Sequence, residues 1–315
     1  MIRLEAVSKR YPGAERPAVD GIDLTVPEGT TCALIGPSGC GKSTTLRMVN
    51  RLVEPDAGRI RVAGRDVAEV DPVVLRRSIG YVLQGVGLFP HRSVAQNVAT
   101  VPVLLGWPRA RVEARVDAML DLVGLDPGQY RRRRPDALSG GQRQRVGVAR
   151  ALAADPPVLL MDEPFGAVDP AARDRLQGEI GAILRRLRKT VILVTHDLDE
   201  AMRLADRVVV MREGRIAQAD APLTLLAAPA DAGVAAFLGE DRVLRRLALV
   251  TVAACASPGD APGAPAIAGE ASLKEALALL FATGASRLAV TGLDAPARLD
   301  IEAIRAAARV PGPGV

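Results

Sequence analysis

The segment 36–43 reads GPSGCGKS, which is the G-x-x-x-x-G-K-[ST] spacing of a phosphate-binding loop, between an apolar stretch and a helical pattern. Glycine is needed in such a loop because successive backbone N–H groups must curve around an anion, and a Cβ atom would block the approach. Lys42 is then expected to reach the β- and γ-phosphates of a nucleotide, and Ser43 to bind Mg²⁺. Because the chain has only four lysines, Lys42 is easier to interpret as a residue with a specific task.

Two carboxylates and a histidine follow apolar runs further along the chain. Asp162 and Glu163 end the run that starts at Val158, and His196 follows the run 190–195. Continuous apolar runs are typical of buried parallel strands, whose carboxyl ends face the ligand in open α/β sheets. Asp162 is therefore expected to hold Mg²⁺ through water, Glu163 to polarise an attacking water, and His196 to bind a γ-phosphate. The alternatives are a polar loop start for the acids and a structural role for the histidine.

Two further segments have a functional and a purely structural interpretation. The segment 138–142 reads LSGGQ, and Ser139 there is a good N-cap for the helix that we predict over 143–154. Exposed glycine amides at a helix N-terminus could bind a second anion, or this could be an ordinary loop-to-helix junction. Tyr11 lies ahead of the phosphate loop and could stack on a purine, although packing within its own turn is favoured on this residue alone.

The elements that must position these residues alternate between strands and helices. Apolar stretches predict strands at 2–8, 21–26, 30–35, 59–62, 79–83, 158–162, 190–195, 207–211 and 215–219, the last two as a hairpin. Val112, Val116 and Met119 lie on one face of a helix, so the block 93–154 is interpreted as helical and as part of an inserted subdomain at about 86–154. A further helix is predicted over 171–188.

The composition changes after about residue 240. The segment 257–268 is rich in proline, glycine and alanine, which predicts a linker or loose loop. An amphipathic helix over 273–281 and a strand at 287–290 follow, and the tail 306–315 is expected to be mobile.

Composition limits the classes of protein that the chain can represent. Of 315 residues, 49% are hydrophobic and 24% charged, which is typical of a globular protein. A net charge of +5 permits a nucleic-acid or anionic-membrane partner but requires neither, and Arg131–Arg134 is interpreted as a solvated loop. Three cysteines without metal-ligand spacing indicate a reducing cytosol. No apolar run is long enough to span a bilayer, so any membrane role is expected to come through a partner.

The order of these motifs, with Gln84 and Asp169 among them, resembles that of ABC-type ATPases over residues 1–240. The resemblance implies an α/β P-loop NTPase core, namely a mostly parallel sheet with an antiparallel β subdomain and an inserted helical subdomain. It also implies a head-to-tail homodimer that encloses each ATP between the loop of one copy and the LSGGQ segment of the other, with Asp169 at the dimer axis. The implied Mg²⁺ ligands are Ser43, Gln84 and Asp162, and the implied catalytic residues are Lys42, Gln84, Glu163 and His196. The implied ATP-binding residues are Tyr11, Gly36, Pro37, Ser38, Gly39, Cys40, Gly41, Lys42, Ser43, Thr44, Ser139, Gly141, Gln142 and Asp169.

Segments 48–52, 79–84, 87–91 and 239–242 are similar to those of ATPases that power glycine betaine, carnitine and choline importers. This likeness implies an ATPase at the cytoplasmic face of the membrane that drives a permease, with an extracytoplasmic solute-binding protein as an indirect partner. Residues 241–315 are interpreted as a linker and tail, in which 271–291 resembles one half of a CBS pair. The chain departs from the family pattern at Val168, where leucine is usual, and at Gly85, where glutamine is common.

Three alternatives remain open from the sequence. The first is an importer ATPase for another solute, such as an amino acid or polyamine. The second is a soluble ABC ATPase that acts on nucleic acid, but the chain lacks the long coiled coil and second phosphate loop of such proteins, so no nucleic acid is expected. The third is a purely regulatory nucleotide-binding module, which the presence of Glu163 and His196 disfavours.

Overall fold

The strands of the first unit form two sheets, as seen in a computed structural model that describes residues 1–166 and 168–309. This unit comprises Met1–Ala219, and a second unit begins at Asp220. The strands of the first unit are β1 (Ile2–Lys9), β2 (Val19–Val26), β3 (Thr31–Ile35), β4 (Ala57–Val62), β5 (Arg65–Asp66), β6 (Ile79–Val82), β7 (Val158–Asp162), β8 (Thr190–Val194), β9 (Arg207–Arg212) and β10 (Arg215–Asp220).

The larger sheet has six strands in the order β10-β9-β3-β8-β7-β6. Five of them, from β9 to β6, are parallel to their neighbours. Every residue of β3, β7 and β8 is buried, which explains why these strands are continuous apolar runs in the sequence. The predicted parallel core is confirmed, and the predicted hairpin strands β9 and β10 lie next to each other at its edge.

The smaller sheet has four strands in the order β2-β1-β4-β5, and all of its pairs are antiparallel. Buried and exposed residues alternate along β1 and β2, because one face of this sheet packs on the core and the other faces solvent. This is the predicted antiparallel subdomain.

Helices pack on the sheets and form the predicted block between β6 and β7. The first helix of the chain follows β3. The block between β6 and β7 contains five helices and a short 3-10 turn at Pro135–Ala137. The helices of the first unit are α1 (Lys42–Val49), α2 (Pro72–Ser78), α3 (Val94–Val98), α4 (Thr100–Leu104), α5 (Arg109–Leu122), α6 (Pro127–Tyr130), α7 (Gly140–Leu152), α8 (Pro170–Leu187) and α9 (Leu198–Leu204).

The second unit has its own sheet and its own apolar core. Its sheet order is β11-β14-β13-β12, and Leu273, Leu280, Leu288 and Leu299 are among the buried core residues. Its elements are α10 (Pro222–Ala227), α11 (Ala232–Leu238), α12 (Arg242–Leu249), β11 (Ser257–Pro258), β12 (Ala266–Ala268), α13 (Leu273–Thr283), β13 (Arg287–Thr291), β14 (Ala297–Asp300) and α14 (Ile301–Ala308). The CBS-like assignment of this region stays a prediction.

Most predicted elements differ from the observed ones by one or two residues at an end, and three predictions need a larger correction. Helix α7 begins at Gly140 rather than 143, because Ser139 caps it directly. The prediction of a loose loop over 257–268 was wrong at both ends, where β11 and β12 pair with β14 and β13. The tail prediction was wrong for residues 306–308, which belong to α14, and residues 310–315 lie outside the described part of the chain. No helix within the described ranges is both long and apolar enough to cross a membrane.

Candidate functional site

The loop between β3 and α1 depends on two glycines that no other residue could replace without a backbone shift. Gly36 has φ 145°, and a Cβ atom there would lie 2.2 Å from the carbonyl oxygen of Met211. Gly41 has φ 108°, and its Cβ atom would lie 2.3 Å from the carbonyl oxygen of Ala18. The loop between them can therefore turn back over the N-terminus of α1, where backbone N–H groups favour an anion.

Lys42 is folded back into this loop. Its Nζ donates hydrogen bonds to the carbonyl oxygens of Gly36, at 2.7 Å, and Pro37, at 2.9 Å. The residue is only 9% exposed, so the ammonium group is held inside the loop rather than in solvent. Pro37, Ser38 and Gly39 at the top of the loop are exposed. The lysine charge is thus presented beneath an open, amide-lined surface that suits a phosphate chain.

Ser43 and Asp162 bring two oxygen ligands together beside the loop. Ser43 Oγ donates a 3.2 Å hydrogen bond to Asp162 Oδ1, and Arg47 lies 3.9 Å from the other carboxylate oxygen. Burial raises the pKa of Asp162, whereas Ser43 and Arg47 act in the opposite direction. Hard oxygen ligands of this kind suit a divalent cation such as Mg²⁺. Within the described ranges, no group of three or more His, Cys, Asp or Glu side chains could hold a metal.

Glu163 occupies a special position directly after β7. Its φ of 45° is unusual for a residue with a side chain, and its N–H donates a 2.8 Å hydrogen bond to the carbonyl oxygen of Val194. One carboxylate oxygen accepts a 2.9 Å hydrogen bond from Gln84 Nε2, and the other lies 3.5 Å from His196 Nδ1. The ends of β6, β7 and β8 thus bring together three predicted site residues. Gln84 contacts Glu163 here, and its role as a Mg²⁺ ligand stays a prediction.

Tyr11 lies beside the start of α1. Its hydroxyl group is 3.5 Å from Thr44 Oγ1, and Lys9 Nζ lies 6.0 Å from its ring centroid. The side chain is 39% exposed. An exposed aromatic ring next to a phosphate-binding loop can stack on a purine base.

The predicted LSGGQ segment forms a complete capping box at the N-terminus of α7. Gln142 N donates to Ser139 Oγ at 3.3 Å, and Ser139 N donates to Gln142 Oε1 at 3.0 Å. A Cβ atom on Gly141 would contact nothing within 4 Å, so the backbone there is open. Among the described residues, no hydrogen bond or ion pair joins Ser139, Gly141 or Gln142 to the phosphate loop. The geometry therefore leaves this segment outside the site that the same chain forms. Asp169 lies at the start of α8, where its carbonyl oxygen accepts from Ala172 and Arg173.

Sequence reasoning missed two polar residues that hold the segment after Gln84. Arg150 on α7 donates to the carbonyl oxygens of Gly87, at 2.6 Å, and Val86, at 2.8 Å. Asn97 is fully buried and exchanges hydrogen bonds with the backbone of Phe89. The only sequence signal for such a contact is a polar residue among the apolar residues of a predicted helix. This signal does not indicate which group the residue binds.

Comparisons with known proteins agree with this arrangement. A family model described as ABC transporter matches residues 19–166. The glycine betaine uptake system ATP-binding protein YehX of Escherichia coli is 50% identical over 294 residues, which cover 93% of this chain and 94% of that protein. The chain belongs to the family of ABC transporter ATP-binding proteins. The osmoprotectant import ATP-binding protein OsmV of Salmonella typhimurium is 52% identical over 254 residues, or 80% of this ABC protein.

The match spans 66% of the length of OsmV, whereas it spans nearly all of YehX. A solved ABC structure has the same architecture: a dimeric ATP-binding cassette in a post-hydrolysis state with ADP and Pi. It aligns with a TM-score of 0.63 and 29% identity over 70% of this chain and 99% of that chain.

Proposed function

We propose that the chain binds ATP with Mg²⁺ and hydrolyses the γ-phosphate bond to power import of a small solute. One observation carries the ATPase proposal: Lys42, Ser43, Asp162, Glu163 and His196 all lie at the carboxyl ends of three adjacent parallel strands. These residue types supply a phosphate cradle, two cation ligands, a carboxylate base and a γ-phosphate contact.

The chain's own residues divide the chemistry between them. Lys42 leaves the Gly36 and Pro37 carbonyl oxygens and binds the phosphates, while Tyr11 stacks on the base. Glu163 accepts a proton from the attacking water, and Gln84 orients the Glu163 carboxylate through their hydrogen bond. His196 turns from Glu163 towards the γ-phosphate. Mg²⁺ held by Ser43 and Asp162 supplies positive charge to the phosphate oxygens when bound.

A second copy of the chain is proposed to complete each site. Supporting this, the LSGGQ segment is capped and open but makes no bond to its own phosphate loop within the described residues. A cassette of the same family has been solved as a dimer with ADP and Pi. In a head-to-tail homodimer, Ser139, Gly141 and Gln142 of one copy would meet the ATP on the other, and Asp169 would lie at the dimer axis.

An apolar groove beside Gln84 is the proposed seat for the membrane permease. A cavity of about 330 Å³ is lined by Tyr81, Leu83, Phe89 and Val101, and Phe89 also lines a neighbouring cavity of about 720 Å³ with Val103 and Leu104. Val103 is 60% exposed, and Leu104 is 54% exposed. Exposed apolar surface of this kind marks a contact site for another protein. The chain would thus lie at the cytoplasmic face of the membrane, bound to the permease.

The imported solute is proposed to be a quaternary amine such as glycine betaine, carnitine or choline, delivered by an extracytoplasmic solute-binding protein. The support is the printed function of the relatives at 50–52% identity. The test is uptake of labelled glycine betaine and choline by cells that carry this chain with its permease and binding protein. Wild-type chain should support uptake of one of them, and Lys42→Ala should abolish it. ATP hydrolysis without uptake of any quaternary amine would contradict the solute assignment alone.

A further inference from the structure

Arg173, near the start of α8, joins two segments that flank the candidate catalytic site. Its Nη2 donates a 3.1 Å hydrogen bond to the carbonyl oxygen of Val168. Its Nη1 lies 3.9 Å from Oδ2 of Asp197, the residue that directly follows His196. The guanidinium group therefore connects the segment that ends at Asp169 to the residue beside His196.

Two neighbours hold the backbone of His196 in place. Asp197 Oδ1 accepts hydrogen bonds from the N–H groups of Asp199, at 2.9 Å, and Glu200, at 3.1 Å, and so caps α9. The N–H of Asp197 donates a 3.0 Å hydrogen bond to Thr195 Oγ1. The His196 side chain itself is 66% exposed. The position of its backbone is thus set by how Thr195 and Asp197 are anchored.

Glu200 anchors this network from the interior. Thr195 Oγ1 donates a 3.0 Å hydrogen bond to Glu200 Oε2, and both residues are buried. Within the described ranges, Glu200 Oε1 and Arg173 Nε are buried without a hydrogen-bond partner. A carboxyl oxygen and an N–H donor are thus left unpaired in one network, which is unfavourable in a buried setting.

We propose that Arg173 is a positioning residue that makes the placement of His196 depend on the segment carrying Val168 and Asp169. The inference rests on the proposed function, in which His196 binds the γ-phosphate and Asp169 meets a second copy of the chain. Docking of the second copy displaces this segment, and Arg173 transmits the displacement to Asp197. Arginine suits this task because its planar guanidinium group donates in two directions at once, whereas lysine carries a single ammonium group.

The test compares steady-state ATP hydrolysis and ATP binding for Arg173→Met, Arg173→Lys, Asp197→Asn and the double variant Arg173→Met with Asp197→Asn. Arg186→Met is the matched control, because Arg186 is an exposed arginine on the same helix. We expect kcat of Arg173→Met to fall by about tenfold with KM for ATP changed less than about twofold. Arg173→Lys should keep most of this defect. The double variant should be no slower than Arg173→Met, because the two residues act as a unit.

Several results would overturn the inference. These are a kcat of Arg173→Met equal to that of Arg186→Met, additive defects in the double variant, or full kcat with Arg173→Lys. A parallel loss of ATP affinity and thermal stability without a separate kcat defect would also overturn it, since that pattern indicates a merely structural pair. If Arg173→Met does not fold, the kcat values of the single variants Arg173→Lys and Asp197→Asn test the inference instead, and wild-type kcat in both would overturn it.

Absence of ATP hydrolysis by the wild-type chain would contradict the proposed function and would be distinguishable from failure of the inference about Arg173. In that case, thermal unfolding of the same variants still measures the coupling between Arg173 and Asp197, and absence of coupling contradicts the inference.

Discussion

The side-chain amide of Gln84 donates a 2.9 Å hydrogen bond to the carboxylate of Glu163, and so links the ends of two adjacent parallel strands. Leu83, the residue before Gln84, lines the apolar groove that we assign to the permease. Under the proposed function, a permease bound in this groove would change the position of Gln84 and, through it, the orientation of Glu163.

Gln84→Ala should slow ATP hydrolysis without preventing ATP binding. The substitution removes the hydrogen bond that orients Glu163 but leaves Lys42 and the phosphate loop intact. We expect kcat to fall by about tenfold, which is less than the roughly 100-fold or greater loss expected when the base itself is removed. Gln129→Ala, at an exposed glutamine on α6, is the control. Equal turnover by the two variants, measured as phosphate release, would show that Gln84 does not orient the base.

Variants of two serines with the same capping geometry can distinguish an effect on protein stability from an effect on ATP hydrolysis. Ser139 caps α7 and Ser272 caps α13, each within a complete capping box. Ser139→Ala and Ser272→Ala should each cost about 1 kcal/mol of stability. Only Ser139→Ala should also reduce ATP hydrolysis, because Ser139 is proposed to contact the ATP on the other copy. Thermal unfolding and phosphate release measured on both variants check this, and equal effects of both on hydrolysis would remove Ser139 from the site.

The buried carboxyl group of Glu200 should make stability fall as pH rises. Burial raises its pKa from 4.5 to about 8, the neighbouring acids Asp197 and Glu163 add to the shift, and the bond from Thr195 and the charge of Arg173 oppose it. Between these two pKa values, the folded chain keeps a proton that the unfolded chain releases. The free energy of unfolding therefore decreases from about pH 5 to pH 8, by at most about 1.4 kcal/mol per pH unit.

Chemical denaturation at pH 5.5, 6.5, 7.5 and 8.5 measures this slope. The side chain of Glu200→Gln cannot titrate, so the free energy of unfolding of this variant should increase relative to that of the wild type as pH rises. Glu113→Gln is the control, because Glu113 is an exposed acid whose pKa is lowered by Arg109 and does not titrate in this range. The same pH slope for wild type and Glu200→Gln would exclude the buried carboxyl group as its source.

The sequence was sufficient for the elements that carry the chemistry, because each is marked by a local pattern. Glycine spacing marks the loop, and continuous apolar runs mark β3, β7 and β8. The same kind of local pattern failed for β12, an Ala-Ile-Ala triplet among prolines and glycines. Its strand conformation comes from pairing with β13, which is distant in sequence.

Contacts between distant segments could not be predicted either. Arg150 donates to carbonyl oxygens 63 and 64 residues away, and carbonyl groups have no sequence signature. Likewise, no sequence pattern distinguishes Arg173 from the many other arginines of the chain. Its relation to Asp197 exists only because α8 and α9 are brought together on the sheet.

If Glu163 is the base of an ATPase, as proposed, Glu163→Gln should remove that base and little else. Glutamine keeps the shape of the side chain and can still accept the hydrogen bond from Gln84, but it cannot take a proton from water. The measurement is ATP binding by equilibrium dialysis together with phosphate release, with Glu28→Gln as an exposed control. We predict that Glu163→Gln binds ATP within about threefold of wild type and loses about 100-fold or more in turnover. Near-normal hydrolysis by Glu163→Gln would show that Glu163 is not the base.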